Sequence, residues 1–89
     1  MMGEMVLSVG LEDFTIRYFR TEGSLESDET GTKVFGIKAG KYIDDNLVEE
    51  SDAGFISEDM EYVDGVINFL GKHTVTPTSL YEVLDDMLA

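Results

Sequence analysis

The apolar residues of this chain keep two periods and change from one to the other only once. Phe14, Ile16 and Tyr18 alternate with Thr15 and Arg17, and Phe35 and Ile37 repeat the pattern, which is the two-residue period of a half-buried strand. From Met60 onward the spacing becomes three and four. Met60, Val63, Ile67 and Leu70 form one such stripe, widened by Val66, and Leu80, Val83, Leu84, Met87 and Leu88 form a second. Strands followed by helices, with the two kinds segregated, predict an α+β domain. Eighty-nine residues allow a single domain, read here as a β meander over about 5–52 and a helical hairpin over 57–89. A chain of this length buries roughly 60–65% of its unfolded surface, so its core is small but sufficient without disulfides.

Punctuation residues divide these segments. Residues 13–22 read as a strand in which Phe19 breaks the alternation and falls on the polar face, where a terminus or a neighbouring subunit would cover it. Residues 23–32, G-S-L-E-S-D-E-T-G-T, read as an exposed acidic hairpin tip. Residues 33–43 return as a second strand, in which Gly36 and Gly40 signal a bulge or a close backbone approach. Asp44, Asp45 and Asn46 make a turn, and Leu47 to about Ser51 a short acidic edge strand. Residues 5–9, M-V-L-S-V, are the candidate for a fourth strand, stopped by Gly10.

The spacing predicts an N-cap at Ser57 with Glu58, Asp59 and Glu61 against the positive helix end. Gly71 is expected to end that helix, with Lys72 and His73 near its negative end, and Thr76-Pro77 to start the next. The expected core is Phe14, Ile16, Tyr18, Phe35, Ile37, Val63, Ile67, Leu70, Leu80, Val83, Leu84 and Met87, with Val75 plugging the corner between helices.

Charge narrows the functional classes. Nineteen acidic residues against six basic ones give a net charge of −13, a field that repels nucleic-acid phosphate and anionic lipid and attracts basic proteins. Nucleic-acid binding is therefore the class most strongly disfavoured. The absence of cysteine removes disulfides, thiolate metal sites and a cysteine nucleophile together. No run approaches the ~18 apolar residues of a membrane span, and M-M-G-E-M-V-L lacks the basic region of a signal peptide, so a cytoplasmic protein is expected.

The chain offers few chemical constellations. His73 is its only histidine, and Ser79 and Asp86 are the only local residues that could complete a nucleophile–base arrangement around it. The acidic run 44–52 fails the calcium-loop pattern, because Val48 and Glu49 stand where a ligand and a glycine are required. Five of the six basic residues, Arg17, Arg20, Lys33, Lys38 and Lys41, fall in the first two of the three main strands, either as cross-strand ion pairs or as a small positive patch. Tyr81, Glu82, Asp85 and Asp86 occupy the outward side of the last helix and form the candidate interaction surface. A DNA-recognition helix needs donors and positive charge there, and this one presents the reverse.

Phe35-Gly36-Ile37, Ile56-Ser57, and Val75, Pro77, Leu80, Val83 and Asp86 follow one another in an order that resembles a family of short bacterial proteins found mainly among clostridia and related gut anaerobes. Members of that family carry a Y-G-I strand, an I-S before the first helix and a V-x-P-x-x-L-x-x-V-x-x-D ending. The resemblance covers roughly residues 33 to 89, and Phe35 stands where the family has tyrosine. It is a domain of unknown function, so the resemblance implies the architecture and transfers no catalytic residue.

The residues together lead to a three-stranded antiparallel meander, or four strands with residues 5–9, covered on one face by a helical hairpin. The expected function is a small acidic protein-interaction or regulatory module, with no catalysis, cofactor or metal and with a basic protein as partner. The alternative is an acidic inhibitor that imitates nucleic acid. An interaction module exposes an apolar patch, whereas a mimic spreads carboxylates over one continuous face.

Overall fold

The computed structural model describes residues 2–24 and 32–88. Four strands form one antiparallel sheet in the order of the chain: β1 (Met2–Gly10), β2 (Thr15–Ser24), β3 (Lys33–Ile43) and β4 (Asn46–Ser57). Two helices follow, α1 (Met60–Lys72) and α2 (Leu80–Leu88), joined through a 3-10 turn at Pro77–Ser79. The α+β class read from the period change is the class observed. The acidic tip expected at 23–32 lies mostly outside the described residues.

The sheet is larger than the alternation predicts, for two reasons. Residues 5–9 do form a strand, but a bulge between Met5 and Leu7 changes its parity midway, so Met5 lies opposite Phe19 and Leu7 opposite Tyr18. The bulge hides the strand from a period-two reading. It also resolves the misplaced Phe19, whose polar-face ring is flanked by Met5 on β1 and by the Lys38 ammonium 4.9 Å from its centroid. The edge strand β4 spans 12 residues rather than five, although Glu49, Glu50, Asp52 and Gly54 are poor strand formers. Tertiary bonds hold it extended. Ser51 donates its hydroxyl to the Pro77 carbonyl at 2.7 Å, and Thr78 donates to the Glu49 carboxylate at 2.6 Å.

That longer strand consumes the expected helix start. Ser57 ends β4, and the N-cap of α1 is Asp59, whose carboxylate accepts from the backbone N–H groups of Glu61 and Tyr62. Ser57 still contributes, accepting from the Asp59 backbone N–H at 3.0 Å. The second helix also starts later than the Thr76-Pro77 signal suggests. Thr76 makes no side-chain cap, and the first turn is 3-10 before α2 begins at Leu80.

The core joins strand residues of one parity to the helices. Tyr18 lies opposite Ala39 and Ile37 opposite Ala53, and these four with Ile16 cluster with Val63, Val66, Ile67, Leu70, Leu80 and Leu84. Eight of the expected core residues, Ile16, Tyr18, Ile37, Val63, Ile67, Leu70, Leu80 and Leu84, are buried in this cluster, while Phe14, Phe35, Val83 and Met87 are only partly buried against it. Val75 is buried at the corner as expected.

The end of α1 explains that corner. The Thr74 N–H donates to the Gly71 carbonyl at 3.1 Å and the Val75 N–H to the Leu70 carbonyl at 3.0 Å, the paired bonds of a Schellman ending. The helix thus runs through Gly71 to Lys72, one residue past the expected stop. The residue that must turn left-handed is Thr74, at φ 50°, where glycine is usual and a β-branched side chain is strained. Thr74→Gly is expected to raise stability by about 0.5–1 kcal/mol, the relief of left-handed strain less the extra entropy glycine loses on folding. Chemical denaturation at neutral pH measures it, and a loss of stability would show that the threonine side chain holds the corner.

Candidate functional site

Five cations of the strands are engaged within the protein. Arg20 is the most enclosed: one of its nitrogens contacts both carboxylate oxygens of Asp64 at 2.6 and 2.8 Å, and another contacts Glu4 at 2.8 Å. Arg17 pairs with Asp45 at 3.1 Å and lies 4.2 Å from the Tyr42 ring centroid. Lys33 pairs with Glu22 at 3.2 Å, and Lys41 sits 3.9 Å from Glu49 and over the Phe14 ring. Of these pairs Glu4–Arg20 and Lys41–Glu49 are directly opposed across strands, while Arg20 also reaches the helix and Arg17 the β3–β4 turn. Lys38 stacks on Phe19. With these cations paired or stacked on neighbours, the remaining surface charge is overwhelmingly negative.

A cleft of about 270 Å³ is lined by Glu4, Arg20, Glu22, Lys33, Phe35 and Met60. Its cations and carboxylates already pair with one another, leaving no unbalanced charge for a ligand. Among the described residues no group of three or more histidine or carboxylate side chains is arranged to hold a metal ion. That includes the acids around the two turns at 12–13 and 44–45, which lie along one shallow depression.

All four residues of the predicted surface on α2 are exposed. Glu82, Asp85 and Asp86 are exposed at helical positions i, i+3 and i+4, so they share one side of the helix. Tyr81, four positions before Asp85, is exposed beside them, and its hydroxyl donates to the Asp52 carbonyl of β4. Tyr81 therefore joins the acidic side of α2 to the edge strand.

That edge strand carries side chains the sequence reading passed over. Leu47, Val48 and Phe55 are large apolar residues left about half exposed on β4, with Phe55 at 58%. Glu49, Glu50 and Asp52 stand between them. The signal was available in the sequence as apolar residues inside an acidic run that fit neither core period.

The residues considered for catalysis are only partly gathered. His73 and Ser79 line one cleft of about 430 Å³ at the helix corner, whereas Asp86 is absent from its lining. The His73 ring packs on Phe69, centroids 4.4 Å apart, and no hydrogen bond to a described residue orients it as a base. No described helix is long and apolar enough to cross a membrane.

A model of a family described as a family of unknown function, DUF6514, matches residues 4–89. No curated protein and no solved structure matches the chain.

Proposed function

For a chain that belongs to DUF6514, a family of unknown function, we propose the role of a non-catalytic protein-interaction module of the cytoplasm. The helical hairpin covers one face of the sheet, and the β4 edge with the neighbouring side of α2 docks a basic protein partner. What carries this reading is the composition of that edge. Leu47, Val48, Phe55 and Tyr81 supply half-exposed apolar anchors, and Glu49, Glu50, Asp52, Glu82, Asp85 and Asp86 supply acidic groups beside them. Protein interfaces combine desolvated apolar or aromatic anchors with a polar rim in this way. An acidic mimic of nucleic acid would need carboxylates without such anchors, so the exposed apolar residues favour the interaction module.

Electrostatics then sets the expected behaviour. Exposed helix carboxylates contribute little to folding but steer association with a basic partner. The triple variant Glu82→Lys, Asp85→Lys, Asp86→Lys is expected to keep the melting temperature within a few degrees. Against a basic partner isolated by affinity capture and then purified, its association rate should fall about tenfold or more at low salt, with the gap closing as salt rises. Phe55→Ser should instead speed dissociation. A purified partner that binds both variants as it binds the wild type would overturn the assignment of this edge.

A further inference from the structure

The helix-corner cleft differs chemically from the rest of the molecule. In a chain with 28% charged residues, no aspartate or glutamate occurs between Gly65 and Tyr81, and the cleft wall contains no carboxylate, lysine or arginine. Val75 and Val83 line it together with the tilted pair of Phe69 and His73, of which Phe69 is 41% exposed. Three hydroxyl-bearing residues, Thr74, Thr76 and Ser79, complete the lining. None of the three forms a hydrogen bond with a described residue, and Thr76 leaves its capping position unused. Thr74 lines this cleft from its strained left-handed conformation. Strain of that kind concentrates where a binding geometry has to be held.

We infer that this cleft is a binding site for an uncharged, planar heteroaromatic small molecule. The volume of about 430 Å³ lies within the range of ligand pockets. The aromatic pair provides a stacking surface and the valines apolar lining. Hydroxyls both donate and accept, so they suit ring nitrogens and exocyclic carbonyl or amino groups. With no permanently charged group in the wall, a charged ligand gains no partner there, and an anion also meets the −13 field of the chain. No β4 residue and none of the docking residues of α2 lines the cleft, so its existence does not depend on the docking reading.

The single histidine makes the test direct, because its ring signals in a ¹H–¹³C spectrum report on this cleft alone. Indole and quinazolin-4-one serve as uncharged probes and benzoate as the charged comparison, each titrated into the full chain. The expected result is a saturable His73 shift with an uncharged probe, at a dissociation constant below about 1 mM. Phe69→Ala removes an exposed ring and Thr76→Phe fills the cleft from a half-exposed position; each should weaken binding tenfold or more while the methyl spectrum stays native. Thr74→Gly should weaken binding several-fold although it stabilises the fold. No saturable shift with either uncharged probe overturns the site, as does unchanged affinity in folded Phe69→Ala. Tighter binding of benzoate than of both uncharged probes overturns the ligand class.

Discussion

Gly36→Ala is expected to be the most damaging conservative substitution in this protein, costing at least about 3 kcal/mol. A methyl group at that position would sit 1.7 Å from the Gly54 carbonyl oxygen and 2.5 Å from that of Ala53. Both obstacles are backbone, so no rotamer change relieves them. The register shifts at this point, with Phe35 opposite Ser57 and Ile37 opposite Ala53, and the bulged segment of β4 is pressed against β3 where only glycine fits. Relief requires parting the two strands, which would strip Ala53 from the core and loosen the attachment of β4 to the helices through Ser51. Small domains hold only about 5–15 kcal/mol in total, so a cost of this size is visible as a large fall in the denaturation midpoint. Gly71→Ala is the comparison: its added methyl would meet the end of the Leu7 side chain, which can turn aside, and a smaller loss is expected. Equal losses at the two positions would show that β4 gives way as easily as a side chain does.

The glycine signal at Gly36 was legible because a glycine inside a strand marks a bulge or a close backbone approach whatever segment it meets. The two helical stripes were legible too, as was the Asp44-Asp45 turn, where both residues take positive φ, 51° and 66°, as a two-residue hairpin requires. What escaped reading was set by partners distant in the chain. β4 is extended because β3, Pro77, Thr78 and Tyr81 bind it, although its own residues argue for a loop. Ala39 and Ala53 are core residues whose side chains are too small to mark a periodic stripe. The proposed docking surface followed the same division. The carboxylates of α2 stand out in the sequence because helical spacing groups them. The apolar residues of β4 do not, since their exposure depends on a strand the pattern did not reveal. The helix-corner cleft depends on the turn at Thr74, which no local rule assigns to a threonine.

Removing one oxygen from the core should be felt almost as strongly as the glycine change. Tyr18 is fully buried on β2, and its hydroxyl donates to the Val75 carbonyl at 2.6 Å and reaches the Leu70 carbonyl at 3.3 Å. The Leu70 carbonyl also accepts from the Val75 N–H, so Tyr18→Phe orphans chiefly the carbonyl of Val75. A buried acceptor left without a donor costs about 1–3 kcal/mol. The same hydroxyl adds a pH dependence. Burial pushes the Tyr18 phenol up from 10.0 to about 12, because the charged phenolate is poorly solvated there. The folded-state value exceeds the unfolded one, so this contribution is fully present below pH 10 and fades as the pH rises through about 12. At 1.36 kcal/mol for each pKa unit, the loss across that window is roughly 2–3 kcal/mol. The quantity to measure is the difference in unfolding free energy between wild type and Tyr18→Phe from pH 8 to 12, which cancels the titrations the two proteins share. That difference should be constant up to about pH 10 and then shrink by roughly 2 kcal/mol by pH 12 as the wild type alone loses stability. A difference that stays constant to pH 12 would mean that the phenol ionises as readily in the folded protein as in the unfolded chain, and that the corner of the two helices is open to water.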